Sequence, residues 1–376
     1  MRILHTADLH LDRTLFEVRL LDDQAHILDQ IVEIARDQAP DVLVIAGDVY
    51  DRAQVRGEAI RLFSDFLRRI HDLGIAIVVT PGNHDAPERI GFAGDILGAA
   101  GLHVCGSLKQ GLRTVRLSDD HGPVDFHLIP YADPAEGREV FQDPEIRDHD
   151  RLMAACLADR LGQDPAAREV VVGHCFVARG AESESERPLA VGGAGQVSRD
   201  RFAAADLVLL GHLHRPQPLY SGSILPYSFE EAHDTKSVVL IELGPKGAAV
   251  ERQRIDLAPR RRLRIVEGSI EELESGRHGS GDDYILARLT DREPVLDAMA
   301  RLRQLWPNLM HVERRREDAA DGTRARQRRR ELDPDALFRG FWSEITGEEA
   351  LPAGGDTELE TAIAAVRAED REETTA

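Results

Sequence analysis

The stretch VLVIAGDVYD, from Val42 to Asp51, predicts the fold class of this chain. Five apolar residues, from Val42 to Ala46, are followed by Gly47 and then by two aspartates three positions apart, Asp48 and Asp51. A short run rich in valine and isoleucine is typical of a strand that is buried on both faces, as in a parallel sheet covered by helices. Ligands bind at the carboxyl edge of such sheets, so we expect Asp48 to face a binding site.

Four further apolar runs end in side chains that bind metals. RILHTADLH supplies Asp8 and His10, and AIVVTPGNHD supplies Asn83, His84 and Asp85. REVVVGH supplies His174, and DLVLLGHLH supplies His212 and His214. Each of these residues alone is equally typical of a helix cap, a turn or a structural histidine. The five endings together indicate a metal cluster. Its oxygen and nitrogen ligands suit manganese, iron or zinc rather than a thiolate site.

Composition predicts a cytoplasmic protein of more than one domain. The chain has 376 residues, and its longest apolar runs fall far short of the ~20 residues that cross a bilayer. The N-terminus enters a strand without the features of a secretory signal. Three scattered cysteines, Cys105, Cys156 and Cys175, form no CxxC pair and indicate a reducing compartment. We interpret Cys175 as a buried thiol rather than a ligand.

The formal charge of -20 does not decide whether nucleic acid is a partner, because the charge is unevenly spread. Arginines cluster at 260–264, 314–316 and 324–330, whereas the last thirty or so residues are acidic. If nucleic acid is a partner, we expect the contacts to come from Arg215, Arg260, Arg261, Arg262, Arg314 and Arg315. A solvated charged surface is the alternative.

Amphipathic patterns predict two successive βαβ units in the first half of the chain. Helices are expected at about 20–36 and 58–73, and they would place Asp8, Asp48 and Asn83 at one edge of a sheet. Strands are expected at 102–104, 114–117 and 125–129, and then a helix at 150–161. The segment Tyr220 to Glu231 either contacts substrate or is a structural connection. We expect the strand 237–243 to return antiparallel and close the core.

The second half of the chain predicts a separate small module and a tail. From Arg262 onwards the pattern is strand, helix, strand, helix, strand. The expected boundaries are a catalytic domain at 1–258, a second domain at 259–316, an arginine-rich linker at 317–332 and C-terminal helices at 333–376. One aromatic helix face carries Phe338, Phe341, Trp342 and Ile345. These helices either fold back on the chain or dock on a partner, and we favour the partner.

The predicted cluster suits hydrolysis at phosphorus by two divalent ions that share a carboxylate. Asp48 is the expected bridge. One ion would take Asp8, His10 and one of the two histidines of GHLH, and the other would take Asn83, His174 and the remaining histidine. His84 would protonate the leaving oxygen, with Asp85 orienting its ring. Asp51 would either support the ligands from behind or cap a helix.

The order of these motifs resembles the calcineurin-like metallophosphoesterases. The matching elements are Asp8-x-His10, Gly47-Asp48-x-x-Asp51, Gly82-Asn83-His84-Asp85, Gly173-His174 and Gly211-His212-x-His214. Within that superfamily the chain resembles the SbcD family of nuclease subunits. Segments that carry this closer likeness are ILHTADLHL, VGGAGQV, LGHLHRPQ, YSGSILPYSFEE and LFRGFWSEITGEE.

The resemblance implies an α/β (α+β) fold: a four-layer β-sandwich flanked by helices, a small α/β capping domain and a helical tail. It implies a manganese-dependent 3′-to-5′ exonuclease on duplex ends and an endonuclease on hairpins and single strands, acting in DNA repair, recombination and replication. The expected partner is the coiled-coil ATPase SbcC, with a homodimer inside a heterotetramer. The chain contains no GxxxxGK[ST] loop, consistent with ATP belonging to that partner. Asp12 and Pro226 depart from the family pattern.

Two other functions fit the same residues. A phosphoesterase of small phosphodiesters or phosphoproteins would use the same metals under a different cap. A scaffold that keeps metals only for folding is disfavoured by the complete ligand set, including His84.

Overall fold

The computed structural model describes residues 1–177, 183, 185–186, 195–315, 342, 351, 355–356 and 359. The chain divides into two compact units, Met1–Glu313 and Arg314–Ala376, and the first holds the candidate site. The predicted linker at 317–332 and the predicted tail residues Phe338, Phe341 and Ile345 lie outside the described residues. The predicted domain boundaries stay a prediction.

The strands, in chain order, are β1 (Arg2–Thr6), β2 (Thr14–Leu15), β3 (Val18–Arg19), β4 (Val42–Ala46), β5 (Ala76–Thr80), β6 (Leu102–Val104), β7 (Arg113–Asp119), β8 (Gly122–Leu128), β9 (Arg168–His174), β10 (Phe176–Val177), β11 (Gln196–Val197), β12 (Leu207–Gly211), β13 (Ser237–Glu242), β14 (Glu251–Asp256), β15 (Leu263–Gly268), β16 (Tyr284–Leu289) and β17 (Leu309–Arg314).

The α-helices are α1 (Leu21–Gln38), α2 (Gly57–Asp72), α3 (Pro87–Ile90), α4 (Gly94–Leu97), α5 (Pro134–Phe141), α6 (His149–Leu157), α7 (Ile270–Glu274) and α8 (Ala298–Leu302). Short 3-10 helices lie at Gly98–Ala100, Leu108–Gln110, Arg199–Phe202 and Phe229–Glu231.

A six-stranded sheet in the order β14-β13-β1-β4-β5-β6 carries the first motifs. β1, β4, β5 and β6 are parallel, as the two predicted βαβ units require. β13 pairs antiparallel with β1 and closes the core on the other side, as expected. The polar strand β14, with the sequence ERQRID, was not predicted, because an exposed edge strand shows no apolar alternation.

A four-stranded sheet, β12-β9-β8-β7, packs face to face on the first. The core between the sheets includes Ile3 and Val44 from one sheet and Phe126, Val170 and Leu209 from the other. Helices α1 and α2 cover the outer face of the large sheet, and α5 and α6 cover that of the small sheet. The structure therefore has the predicted four layers, helix, sheet, sheet, helix.

The module after Pro259 has the predicted element order, with three strands and two helices around Trp306. Its second helix, Ala298–Leu302, is shorter than the stretch PVLDAMARLRQLW that the sequence predicts to be helical. It begins only at Ala298, because Asp297 takes a left-handed conformation with φ 53° that interrupts the helix. The module contacts α1: Arg261 and the hydroxyl of Tyr284 both reach the carboxylate of Asp23.

The described part of the chain contains no helix that combines the length and the hydrophobicity needed to cross a bilayer. All three cysteines are free and buried, which agrees with the interpretation of Cys175 as a buried thiol.

Candidate metal centre

Five strands from both sheets end at one edge of the sandwich, and their last residues or the loops after them carry the candidate ligands. β1, β4 and β5 of the large sheet lead to Asp8, Asp48 and Asn83, and β9 and β12 of the small sheet lead to His174 and His212. Ligand atoms within 4.8 Å of one another form three groups: Asp8, His10 and His214; His10, Asp48 and His84; and Asp8, Asp48 and His174.

Asp48 lies between two sets of ligands. Its Oδ1 accepts the main-chain N–H of His84 at 2.9 Å, which fixes the carboxylate. Its Oδ2 lies 3.4 Å from Nε2 of His174 and 3.5 Å from Nε2 of His10. One oxygen is thus held by the main chain, and the other faces one histidine from the loop after β1 and one from the end of β9.

Asp8 divides its oxygens in the same way. Oδ1 accepts the main-chain N–H of His212 at 2.9 Å. Oδ2 is buried and has no hydrogen-bond partner among the described residues. Burial, and then the charge of Asp48, raise the pKa of Asp8. An unpaired buried carboxylate oxygen is costly, and a cation would remove that cost.

His174 and Asn83 show why a cation fits. Nδ1 of His174 donates to the carbonyl of Ala46 at 3.2 Å, so the lone pair of the neutral ring is on Nε2. That nitrogen lies 2.9 Å from Oδ1 of Asn83, and neither atom can then supply a proton to the other. Two acceptors at this distance, with Asp48 beside them, repel each other unless a positive ion lies between them.

His10 and His214 make a similar pair, with their Nε2 atoms 3.1 Å apart. Burial lowers the pKa of His10 and of His174 to about 3, and it also lowers the pKa values of His212 and His214. These rings are neutral at pH 7 and can offer lone pairs to a metal. The donor set of imidazoles, carboxylates and an amide therefore fits divalent cations.

The local backbone is strained where it delivers the ligands. Asp8, His10, Asp48 and His212 have φ angles of 52°, 43°, 47° and 109°, in a region that residues other than glycine seldom adopt. Gly47, with φ 85°, packs so closely that a Cβ there would lie 2.2 Å from Nδ1 of His174. Such strain is kept where the surrounding structure fixes it, and it is concentrated at functional sites.

His84 is held by Asp51 and not by Asp85. Its Nδ1 donates to the main-chain carbonyl of Asp51 at 2.7 Å, and its Nε2 lies 3.9 Å from Oδ2 of Asp48. The expectation that Asp85 orients this ring is wrong. Both oxygens of Asp85 are occupied by the main-chain N–H groups of Val49, Tyr50 and Gly82, at 2.9 to 3.0 Å. Asp85 instead ties the loop after β4 to the loop after β5.

The side chain of Asp51 lies against the candidate ligand His10 and does not cap α2, whose N-cap is Arg56. Its Oδ1 lies 2.7 Å from Nη1 of Arg13 and 3.5 Å from Nδ1 of His10. Burial opposes ionisation of Asp51, but the contacts with His10 and Arg13 lower its pKa. Of the two alternatives for Asp51, the geometry favours support of the ligands.

The segment Tyr220 to Glu231 contributes residues that sequence reasoning did not single out. The ring of Tyr227 lies edge-on to His10, with centroids 5.3 Å apart, and its hydroxyl donates to the carbonyl of Leu9 at 2.5 Å. Glu231 is fully buried next to His214. The segment therefore lies behind the ligands, and the repeated glutamates of YSFEE were the available signal.

Asp12, which stands where the family often has glycine, has a left-handed backbone with φ 74°. Its carboxylate compensates by binding Arg19 at 2.6 Å and Arg56 at 2.8 Å, which joins the β2-β3 hairpin to the start of α2. Although burial opposes the change, these arginines lower the pKa of Asp12. Asp12 thus anchors the loop next to His10 at a position where the family often has glycine.

The predicted DNA-binding arginines have different surroundings. Arg261 is committed to Asp23, with both distances 3.1 Å, which favours a structural role. Arg215 lies 3.2 Å from Asp234. Exposed side chains are those of Arg260, Arg262, Arg314 and Arg315. Contact of any of these residues with DNA stays a prediction.

The comparisons with known proteins agree with these observations. Residues 1–216 match the family of calcineurin-like phosphoesterases, and residues 259–346 match a family described as the type 5 capsule protein repressor C-terminal domain. The SbcD subunit of the SbcCD nuclease from Staphylococcus saprophyticus is 32% identical over 359 residues, which cover 93% of this chain and 94% of the relative. This chain belongs to the SbcD family of calcineurin-like phosphoesterases. The predicted family, fold class and enzyme class, a metal-dependent phosphoesterase of the nuclease-subunit type, are confirmed.

Two solved structures are also similar to this member of the SbcD family. A dimetal phosphatase from Danio rerio has a TM-score of 0.41 and 14% identity, covering 69% of this chain and 99% of that one. The protein TT1561 of Thermus thermophilus has a TM-score of 0.37 and 15% identity, covering 67% of this chain and 98% of that one.

Proposed function

We propose that the chain cleaves DNA phosphodiester bonds with two divalent cations. The observation that carries the proposal is the position of Oδ2 of Asp48, 3.4 Å from Nε2 of His174 and 3.5 Å from Nε2 of His10. A carboxylate shared between two ligand sets is what a pair of metal ions requires. Two such cations supply Lewis-acid stabilisation of the phosphate and activation of a water nucleophile.

We assign Asp8, His10 and His214 to one ion, since these three form one group within 4.8 Å. Asn83, His174 and His212 are assigned to the other, and Asp48 is shared. The ring of His212 lies edge-on to that of His174, with centroids 5.4 Å apart, which supports placing His212 in the second set. The mixture of oxygen and nitrogen ligands suits Mn2+, our proposed metal.

His84 is the proposed proton donor to the leaving oxygen. Its Nδ1 is occupied by the carbonyl of Asp51, so only Nε2 can reach a substrate. The ring is 4% exposed and lies beside Asp48, where a phosphate held by the metals would be within reach. The role of Asp85 in this scheme is to hold the loop that carries Asn83 and His84.

The wider proposal follows the family. The chain would act as a 3′-to-5′ exonuclease on duplex ends and as an endonuclease on hairpins and single strands, in the cytoplasm. Residues 333–376 would bind the ATPase SbcC, which supplies ATP hydrolysis, and two copies of the chain would form a homodimer within a heterotetramer. The match of residues 259–346 to a separate C-terminal family supports a DNA-holding or partner-binding part beside the phosphoesterase domain.

The test is cleavage of a labelled hairpin and a blunt duplex by the full chain in Mn2+, with and without SbcC and ATP. Asp48→Asn is the disabling variant, because it weakens the shared ligand of both ions. We expect Mn2+-dependent cleavage by the wild type and its loss in the variant. Turnover of a small chromogenic phosphodiester without action on any DNA would overturn the nuclease proposal and favour a phosphoesterase of small substrates.

A further inference from the structure

A buried polar cluster lies on the Nδ1 side of the His214 ring, whereas Nε2 of the same ring faces His10. It contains the carboxylate of Glu231 and the ammonium group of Lys236, whose side chains are 0% and 3% exposed and whose Oε2 and Nζ atoms are 2.6 Å apart. Lys236 also donates to the carbonyl of His214 at 2.9 Å. A charge pair this deeply buried is costly to build unless every atom is used.

Ser185 connects this charge pair to the imidazole. Its Oγ lies 2.5 Å from Nδ1 of His214 and also donates to Oε1 of Glu231. The neighbouring Glu186 accepts the main-chain N–H of His214 at 2.6 Å. A short segment of the loop between β10 and β11 thus contacts the candidate ligand at both its ring and its backbone.

The directions of these hydrogen bonds follow from the chemistry of Glu231. Oε1 also accepts from the hydroxyls of Ser183 and Ser228, at 3.1 and 3.2 Å, and Oε2 accepts from Lys236. The ammonium group of Lys236 can only donate, so the Glu231 carboxylate that faces it is an acceptor at both oxygens. The proton of Ser185 therefore points to Glu231, and Ser185 can only accept from His214.

We infer that Glu231, acting through Ser185, fixes His214 as the Nδ1–H tautomer and so keeps its Nε2 lone pair in the site. Both are positioning residues for the proposed reaction, and the inference rests on the proposed role of His214 as a ligand. In the Nε2–H tautomer, Nδ1 of His214 would accept the hydrogen bond of the Ser185 hydroxyl. The oxygens of Ser185 and Glu231 would then face each other as two acceptors. Histidine ligands are commonly fixed by a partner of the second ring nitrogen, and loss of that partner typically costs about 10–100-fold in metal affinity.

Ser185→Ala is the informative variant, because it breaks the connection and leaves the Glu231–Lys236 pair intact. Glu231→Gln would strip Lys236 of its buried counter-charge and risk unfolding. Ser228→Ala is the matched control, since it removes one hydroxyl from Glu231 without touching His214. The first readout is the tautomer of His214 in the metal-free full chain, from long-range 1H–15N spectra with 15N-labelled histidine, assigned with His214→Gln.

We expect His214 to be protonated at Nδ1 in the wild type and in Ser228→Ala, and to become a mixture of tautomers in Ser185→Ala. The second readout is a Mn2+ titration followed by electron paramagnetic resonance. Ser185→Ala should bind one of two Mn2+ ions about 10–100-fold more weakly, with the other unchanged. Protonation at Nε2 in the metal-free wild type, or unchanged Mn2+ binding by Ser185→Ala, would overturn the inference. A wild type that binds no Mn2+ would instead contradict the proposed function itself.

Discussion

The ring of His84 is fixed by the main chain of Asp51, whose carbonyl accepts a hydrogen bond from Nδ1 at 2.7 Å. The bond orients the ring through a main-chain partner and leaves Nε2 as the ring nitrogen that can face a substrate. Substitution at position 51 leaves this carbonyl in place. The orientation of His84 is therefore a property of the loop and not of one side chain.

His84→Gln should lower DNA cleavage by about 10²–10⁴-fold, the usual contribution of a general acid. The amide can still hydrogen-bond but cannot transfer a proton. Binding of Mn2+ should be unchanged, because His84 is outside both proposed ligand sets. The measurement is single-turnover cleavage of a hairpin beside a Mn2+ titration, and the exposed His121 provides a His→Gln control. Full activity in His84→Gln would assign the proton transfer to another group.

Gly82→Ala should disturb the site from behind. A Cβ at this position would lie 2.2 Å from Oδ1 of Asp48 and 2.5 Å from its main-chain nitrogen, so the loop must move. Displacing Asp48, the proposed shared ligand, by about 1 Å can cost on the order of 10²-fold in rate. Gly57→Ala is the matched control, because its nearest neighbour is Nη1 of Arg61 at 3.6 Å. Equal Mn2+ affinity and equal cleavage rates in the two variants would show that the loop adjusts freely.

The position of Asp8, Asp48 and Asn83 at one edge of the sheet could be predicted, because successive βαβ units place their strands side by side. Their strands β1, β4 and β5 are adjacent and parallel, and the carboxyl ends of parallel strands share one edge. His174 and His212 come from the second sheet, and periodicity alone does not say that two sheets meet at one edge. That part was inferred from the five apolar runs that all end in residue types suited to a metal site.

Other features were beyond the sequence because they depend on contacts between distant segments. Asp85 stands next to His84 in the chain, yet its oxygens take main-chain N–H groups from another loop. Glu231 and Ser185 are 46 residues apart in the chain, and no known motif spacing relates one to the other. A carboxylate followed by another carboxylate, as in Glu230 and Glu231, gives no indication of which one is buried.

Tyr284→Phe should weaken the attachment of the module that begins near Pro259. The Tyr284 hydroxyl donates to Oδ2 of Asp23 at 2.7 Å in a buried setting, and a hydrogen bond to a charged group is worth about 1.5–3 kcal/mol. We expect a loss of that size in the free energy of unfolding, measured with urea. Tyr131→Phe is the control, since its hydroxyl has no hydrogen bond to a described residue. Equal stability of both variants would mean that Arg261 alone holds Asp23.

His5→Asn should make the stability of the metal-free chain less sensitive to acid. Burial, and then the charge of Arg252, lower the pKa of His5 from 6.5 to about 3. The unfolded chain therefore binds a proton that the folded chain does not, so the stability contributed by His5 is complete above pH 6.5 and is lost as the pH falls towards 3. Each such proton contributes a slope of about 1.4 kcal/mol per pH unit.

Urea unfolding in a chelator at pH 4.5, 5.0 and 5.5, between the two pKa values of His5, measures this slope. His5→Asn should reduce it by about one proton, or about 1.4 kcal/mol per pH unit, because the amide does not titrate. Asparagine keeps a polar group near the position of Nδ1, which limits the loss of stability at pH 7. The exposed His26 supplies the control His26→Asn, since its surroundings change little on folding. An unchanged slope in His5→Asn would mean that the buried ring of His5 takes up a proton in the folded chain at these pH values.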